Sequence, residues 1–176
     1  YGDHRDLHSF PTRRSSDLYT PHNATISRQR YPVLAYIHGG GFFAGTPVRV
    51  VSPGEYLPTR GIILVSIQYR LGPFGFFSTG DSTAPGNYGM LDQVEALRWI
   101  QGNIEAFGGD PSKVTLLGES AGGASVNLHL LSTLSKGLFH RVIGESGSDL
   151  SPFAFHAESG VTEASMRLRS EERRVG

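Results

Sequence analysis

The chain has 176 residues, and its 16 basic side chains balance 16 acidic ones, so the formal net charge is zero. This balance excludes a protein that binds nucleic acid through bulk positive charge, and we expect no nucleic-acid partner. Because the chain has no cysteine, a disulfide framework and a thiolate metal site within it are excluded as well.

The two ends of the chain are compatible with one DNA sequence translated in opposite orientations. Residues 169–176 back-translate to a string whose reverse complement encodes residues 11–17 in one frame. That string resembles a common short-read sequencing adapter, and its continuation accounts for residues 1–8. We therefore predict that 1–18 and 169–176 are adapter-derived, not native, and unpacked. The alternative, a basic disordered tail at each end, does not explain the inverted match.

Strand and helix patterns alternate between these ends. The predicted strands are 33–37, 62–69, 114–117 and 141–144. A helical repeat precedes the third strand, and its apolar residues are Leu91, Val94, Leu97, Ile100 and Ile104. A second helix follows that strand to Leu131. This alternation predicts an α/β fold with a mostly parallel sheet, and we assign residues 19–168 to one domain.

The sharpest motif is Gly118-Glu119-Ser120-Ala121-Gly122, which fits the G-x-S-x-G nucleophile elbow. This chemistry needs a serine on a tight turn between a strand and a helix, with small neighbours that let the two elements close around it. An apolar strand ends directly before the motif and a helical pattern begins directly after it. The context favours a nucleophile over an ordinary turn rich in glycine and serine.

A glycine-rich segment, His38-Gly39-Gly40-Gly41-Phe42, follows the first predicted strand. Glycines leave backbone N–H groups unobstructed, so that two of them can point at a tetrahedral oxyanion. A phosphate-binding loop is the alternative, but neither nucleotide-binding glycine pattern is present. We expect the His38 imidazole to hold this loop in place and not to act as the catalytic base.

These residues resemble the type-B carboxylesterases, which include the cholinesterases and have the α/β-hydrolase fold. Residues 107–123 look like the active-site signature of that family without a break. Further family-like segments are 69–76, 84–93, 137–139 and 145–148. The resemblance thus spans most of residues 19–168, and it covers the half of the fold that carries the nucleophile and the oxyanion loop.

The resemblance implies a role for each matching position. Ser120 is the implied nucleophile, and the N–H groups of Gly40, Gly41 and Ala121 form the implied oxyanion hole. Ester hydrolysis would proceed through an acyl-enzyme on the serine, with a small carboxylic ester as substrate. No metal or organic cofactor is implied.

Three further positions are assigned supporting roles by the same resemblance. Glu119 would shape the electrostatics of the pocket, and Ser146 would help to hold the acid of the catalytic triad. Phe153 falls where the family often has an aromatic residue of the acyl pocket, and an ordinary core position is an equal alternative.

The acid and the histidine of the triad have no counterpart in this sequence, because the family has them far beyond the nucleophile. Apart from His38 and the two histidines of the N-terminal adapter-derived segment, the histidines are expected to have structural or surface roles, and they are His22, His129, His140 and His156. Arg70 and Asp92 are interpreted as a structural ion pair or as capping groups. We therefore predict that the chain by itself is inactive, although the longer protein from which it derives is an esterase.

One alternative function comes from the non-catalytic adhesion relatives of this family, such as neuroligins and neurotactin. Those proteins usually lose the nucleophile, whereas Ser120 and the glycine triplet are intact here, which favours the enzyme. Bacterial-type esterases with a similar glycine triplet are disfavoured by segments 84–93 and 107–111. A glycosylation sequon at Asn23 is compatible with a secreted or membrane-associated protein.

Overall fold

The computed structural model describes residues 16–26, 29–46, 56–154 and 165. Five strands of this part form one sheet in the order β1-β3-β2-β4-β5. They are β1 (Asp17–Tyr19), β2 (Tyr31–Ile37), β3 (Ile63–Ile67), β4 (Gly109–Glu119) and β5 (Arg141–Glu145). β2 to β5 run parallel to one another, and β1 pairs antiparallel with β3. The predicted, mostly parallel sheet is therefore confirmed.

In the part of the chain that the structure describes, the α-helices that accompany the sheet are α1 (Gly72–Phe76), α2 (Tyr88–Asn103) and α3 (Ala121–Leu131). Short 3-10 turns lie at Pro58–Arg60, Ile104–Phe107 and Thr133–Ser135. The two long helices match the predicted ones. α1 and β1 have no predicted counterpart, since five and three residues are too short to produce a recognisable period. No helix of the described residues is both long and apolar enough to cross a membrane.

The core lies between one face of the sheet and the two long helices. Alternate residues of β2 face it, as the two-residue period of a strand requires, and they meet Leu97 and Ile100 of α2. All five residues of β3 are buried, which confirms a strand covered on both faces. Leu91 departs from the helical pattern, because it is 42% exposed near the start of α2.

One prediction about the N-terminal residues is wrong. Residues 16–18 were expected to be unpacked, but Leu18 is 2% exposed and pairs with Val65 of β3. The Gln68 N–H donates to the buried Ser16 hydroxyl oxygen over 3.1 Å. The physical reason is that the edge of β3 presents unpaired backbone groups, which an extended segment with an inward-facing leucine can satisfy. Residues 1–15 and 169–176 lie outside the described residues.

Candidate active site

The candidate site lies at the edge of the sheet where the parallel strands end. Because β2, β3, β4 and β5 are parallel, their carboxyl ends meet at this edge, which is where open α/β sheets bind ligands. The glycine loop follows β2, and Ser120 follows β4. β2 and β4 are direct neighbours, so the fold brings the two predicted motifs together.

Ser120 occupies a sharp turn between β4 and α3. Its φ of 56° and ψ of −117° belong to a region that residues other than glycine rarely adopt. Such a conformation costs about 1–3 kcal/mol and persists only where the surrounding structure enforces it. The structure therefore has the strained serine that the G-x-S-x-G motif predicts.

Close approach of backbone explains both glycines of the elbow. A Cβ on Gly118 would overlap the carbonyl of Gly122, and a Cβ on Gly122 would overlap the carbonyl oxygen of Ile37 in β2. Any side chain at either position would push α3 away from the sheet. The motif is thus a packing requirement between β4, α3 and β2 as well as a chemical one.

Two backbone hydrogen bonds fix the serine from both sides. The Ser120 N–H donates to the carbonyl of Glu145 at the end of β5 over 2.8 Å. The Ser120 carbonyl accepts from the Ala124 N–H over 2.9 Å, which makes the serine part of the first turn of α3. Ser146 directly follows β5, with a φ of 53° and an exposed side chain. Because the carbonyl of its neighbour Glu145 accepts from the Ser120 N–H, Ser146 lies beside the elbow. Its supporting role remains a prediction.

The glycine loop adopts left-handed backbone at successive residues. Gly40 has a φ of 108°, Gly41 of 62°, and Phe42 of 66°. The Gly40 carbonyl accepts from the N–H groups of Phe43 and Ala44 over 3.2 and 3.0 Å, which closes a tight turn. Because glycine adopts positive φ at no steric cost, the triplet suits this turn.

The loop touches the elbow at Gly39. A Cβ built on Gly39 would lie 2.7 Å from the Glu119 carbonyl oxygen and 2.9 Å from the Cβ of Ser120. Ala121 is the first residue of α3, and N–H groups of a first helical turn have no acceptor within their own helix. The loop and the start of α3 are therefore adjacent beside Ser120, and the oxyanion hole formed by their N–H groups remains a prediction.

His38 is buried beneath the loop. Its Nδ1 donates to the Gly39 carbonyl over 2.8 Å, since a carbonyl oxygen can only accept. Its ring stacks on that of Tyr69 with centroids 4.5 Å apart, and the Tyr69 hydroxyl donates to the His38 carbonyl over 2.8 Å. Burial raises the pKa of Tyr69, which keeps this donor protonated. These contacts agree with the expected role of His38 in holding the loop.

Glu119 and Glu145 lie near the buried Tyr36, at the edge of the sheet where the candidate site lies. Glu119 and Glu145 pair in register on β4 and β5, and the Glu119 carboxylate approaches Gly39. Burial raises the pKa of Tyr36, and the charges of both glutamates raise it further. The Tyr36 hydroxyl is buried and has no hydrogen-bond partner among the described residues. Glu119 thus lies beside Ser120, and its effect on the electric field of the site remains a prediction.

A buried polar network connects α2 with the first turn of α3. Its direction is fixed by the Ala121 carbonyl, which can only accept, and which receives the Ser125 hydroxyl over 2.9 Å. Gln93 Nε2 then donates to Ser125 Oγ over 3.4 Å, and His129 Nε2 donates to Gln93 Oε1 over 2.9 Å. Ser135 donates to His129 Nδ1 over 2.7 Å. Burial lowers the pKa of His129 to about 4, so this histidine is neutral at pH 7.

Asn23 is exposed in a turn. Phe153 is 36% exposed, so the alternative that it is an ordinary core residue is wrong, while its place in an acyl pocket remains a prediction. His22 and His140 are exposed, and His156 lies outside the described residues. Within the described part of the chain, the Ser120 side chain makes no hydrogen bond to a histidine.

Arg70 and Asp92 form the predicted ion pair. The Arg70 guanidinium donates to both carboxylate oxygens over 2.7 and 2.8 Å, and the Arg70 backbone N–H donates to the same carboxylate over 2.9 Å. The hydrogen bond with Asp92 raises the pKa of Arg70. The sequence does not show which other part of the fold this ion pair stabilises, because the pair is linked to that part through backbone contacts of other residues.

Comparison with known proteins identifies the group to which these features belong. The model of the carboxylesterase family matches residues 17–172. The chain is 54% identical to cholinesterase 1 of Branchiostoma lanceolatum and to liver carboxylesterase 1 of Oryctolagus cuniculus, over 77% and 74% of its length. It is 46% identical to the bile salt-activated lipase of Bos taurus over 81% of its length. The matches cover 38%, 23% and 25% of these three relatives, so the chain spans only part of each.

Proposed function

The chain belongs to the carboxylesterase family, and on that premise we propose that it is part of a serine carboxylesterase that hydrolyses small carboxylic esters. The observation that carries this proposal is the geometry of Ser120, which has a strained backbone and lies against the glycine loop. Strain of this kind has no benefit for folding, whereas it exposes a serine hydroxyl for attack on a carbonyl.

In the proposed reaction, Ser120 Oγ attacks the ester carbonyl while a histidine accepts its proton. The N–H groups of Gly40, Gly41 and Ala121 stabilise the oxyanion of the tetrahedral intermediate. The alkoxide leaves as an alcohol after it receives the proton, and water then hydrolyses the acyl-enzyme by the same path. Glu119 adjusts the electric field beside the serine, and Ser146 supports the acid of the triad.

The proton acceptor of this proposal belongs to a longer protein. The chain covers 38% or less of the three relatives named above, and its Ser120 has no histidine partner among the described residues. We assign residues 19–168 to a partial carboxylesterase domain, with the ends 1–18 and 169–176 adapter-derived. The 176-residue chain is then expected to hydrolyse esters no faster than buffer.

An exchange of segments tests this function directly. Residues 31–145 replace the matching stretch of the rabbit liver carboxylesterase, which supplies the remainder of the domain. We expect the chimera to hydrolyse p-nitrophenyl butyrate, and Ser120→Ala to remove about 10⁴-fold or more of its turnover. Ser112→Ala, at an exposed serine far along β4 from the site, is the control and should leave the rate unchanged.

The outcome also separates the enzyme from a non-catalytic adhesion protein. A folded chimera without turnover would contradict the proposal, because it would mean that this chain's elbow and loop cannot perform acyl transfer. Hydrolysis by the isolated 176-residue chain that Ser120→Ala abolishes would contradict the assignment of the proton acceptor to the longer protein.

We further propose that the full protein is secreted or exposed at the cell surface. The support is the sequon at Asn23-Ala24-Thr25, where Asn23 is exposed in a turn and hence accessible to a glycosyltransferase. Expression with a secretion signal should yield a glycan that a glycosidase removes, and Asn23→Gln should abolish the corresponding mass. Secreted protein with an unmodified Asn23 would contradict this proposal.

A further inference from the structure

The backbone of Phe42 is an unusual end for the glycine loop. Phe42 has a φ of 66°, which is a left-handed conformation that side-chain-bearing residues rarely adopt. It directly follows Gly40 and Gly41, the proposed oxyanion donors. The orientation of the Phe42 peptide is therefore coupled to the direction in which those two N–H groups point, and something must hold it.

The contacts that hold Phe42 come from α1. The Gly72 N–H donates to the Phe42 carbonyl over 2.7 Å. The Phe42 ring packs edge-on against the Phe76 ring, with centroids 5.1 Å apart. Both the backbone and the side chain of Phe42 are thus fixed by one five-residue helix.

α1 is too short to be a stable helix without support from other elements. Its five residues form barely more than one turn, and the side chain of its N-cap residue, Leu71, makes no capping hydrogen bond. The residue before that cap is Arg70, which Asp92 binds through one backbone and two guanidinium hydrogen bonds. Glycines at 75 and 89 let the chain close around the Arg70 carbonyl, where a Cβ at either position would clash. Asp92 lies on α2, so the ion pair attaches α1 to a long helix of the core.

We propose that Asp92 and Arg70 are positioning residues for the oxyanion hole. The path is Asp92 to Arg70, through α1 to Gly72, and from the Gly72 N–H to the Phe42 carbonyl. Neither residue touches the substrate in this proposal, and their effect on catalysis is carried by the direction of the Gly40 and Gly41 N–H groups. The inference rests on the proposed function, since it concerns the transition state of that reaction.

The same helix offers a matched control pair. Glu95 and Arg98 of α2 also form an ion pair, but their side chains are 54% and 49% exposed and both belong to one helix. This pair connects α2 only to itself and does not reach the loop. Loss of its charges should therefore leave the oxyanion hole as it is.

The first measurement is made on the 176-residue chain and needs no activity. Amide hydrogen exchange and chemical shifts are recorded for Asp92→Asn, Arg70→Lys and the control Glu95→Gln. We expect Asp92→Asn to speed exchange at Gly72 and to shift the Gly40 and Gly41 amide signals, while amides of α3 keep their protection. Arg70→Lys keeps the charge but loses the two-pronged geometry, so its effect should be smaller in the same direction.

The second measurement is the kinetics of the chimera described above. A small misplacement of catalytic groups can cost about 10²-fold in rate, so we expect Asp92→Asn to lower kcat by about 10- to 100-fold. KM should change by no more than about twofold, because the donors act on the oxyanion and not on the bound ester. Glu95→Gln should match the unsubstituted chimera in both constants.

Three outcomes would overturn the inference. One is a uniform rise of exchange throughout the chain, which means a purely structural role. Another is an unchanged Gly72 amide in a folded variant. The third is a kcat that stays constant, or that falls no further in Asp92→Asn than in Glu95→Gln. If the chimera is inactive, the proposed function fails while the amide measurement still decides whether the ion pair controls the loop. If Asp92→Asn does not fold, Arg70→Lys provides both readouts.

Discussion

The Ser120 elbow and the glycine loop are adjacent halves of one site, yet they are held by different kinds of contact. The elbow is fixed by backbone against backbone. Besides the contacts of Gly118 and Gly122, a Cβ on Gly147 would overlap the Ser120 carbonyl oxygen. The loop is instead fixed by rings and hydrogen-bond donors that reach it from other elements. His38 stacks on Tyr69 and Phe42 packs against Phe76, while the His38 and Phe42 carbonyls accept from the Tyr69 hydroxyl and the Gly72 N–H.

The two halves therefore tolerate different substitutions. At the elbow, the volume of a residue is decisive, because rigid backbone cannot move aside for a new methyl group. At the loop, the hydrogen bonds that reach it from other elements are decisive, because they select its left-handed conformation. Substitutions of the first kind should lower the free energy of unfolding most, whereas those of the second kind should lower it less and displace the loop.

The largest effect is expected at Gly122. In Gly122→Ala the new Cβ would collide with the Ile37 carbonyl of β2, so we expect the free energy of unfolding to fall by about 4 kcal/mol. Chemical denaturation of the purified variant measures this loss. Gly102→Ala is the control, because a Cβ at that exposed position of α2 meets nothing within 4 Å. It should stabilise the helix by about 0.5 kcal/mol, and equal effects of the two variants would contradict the comparison.

A slightly smaller effect is expected from the histidine that supports the elbow's helix. The pKa of His129 is about 4 in the folded protein, against an ordinary value of 6.5. Folding therefore favours the neutral ring. Its contribution to stability is fully present above pH 6.5 and is lost as the pH falls towards 4. The expected loss over that range is about 3 kcal/mol, measured as the pH dependence of the unfolding free energy.

A substitution isolates this contribution from other titrating groups. His129→Gln should flatten the curve between pH 6.5 and 4, whereas His22→Gln, at an exposed turn, should leave its slope unchanged. If the unfolding free energy of His129→Gln still fell with the same slope between pH 6.5 and 4, the assignment would be contradicted. Another group would then have to take up the protons on unfolding.

An intermediate effect is expected beneath the glycine loop. Tyr69→Phe keeps the ring stacked under His38 but leaves the buried His38 carbonyl without its 2.8 Å hydrogen bond. We expect a loss of about 2 kcal/mol in the free energy of unfolding. Tyr36→Phe is the matched control, because it removes a buried hydroxyl that has no partner among the described residues. That variant should be neutral or slightly more stable, and a larger loss than in Tyr69→Phe would reverse the argument.

The smallest effect has the opposite sign. Ser120→Gly relieves the strained φ of 56° and should raise the free energy of unfolding by about 1 kcal/mol, since the relief exceeds the added flexibility of glycine. The same denaturation experiment measures it. A loss of stability would mean that the Ser120 side chain makes stabilising contacts that outweigh its strain.

The sequence predicted the elements whose signals are local. The elbow motif, the glycine triplet and the long strand and helix patterns each lie within a short stretch of chain, and the structure has all of them. The ion pair of Arg70 and Asp92 was also predicted, from the types of the residues. Its connection to Phe42 was not predicted, because that connection depends on a backbone hydrogen bond at Gly72. No side-chain type in the sequence indicates such a bond.

Features that depend on the assembled fold were not predicted from the sequence. β1 forms because the edge of β3 has unpaired groups, which is a property of the assembled sheet and not of residues 17–19 themselves. The partners of His129 are also distant in sequence, since Gln93 lies on another helix. Its structural role could be expected, while the identity of its partners depended on how α2 packs against α3.

The hydrogen bonds of the buried polar network between α2 and α3 are coupled, so their contributions to the free energy of unfolding are not independent. Beginning from the Ala121 carbonyl, each hydrogen bond fixes the donor and acceptor roles of the next. No side chain of the network can therefore reverse its role without breaking a neighbouring hydrogen bond. Loss of Gln93 would therefore interrupt the contribution of His129 as well, and a second substitution in the network would add little to the first. The stabilisation belongs jointly to both helices, and it cannot be divided into shares for individual side chains.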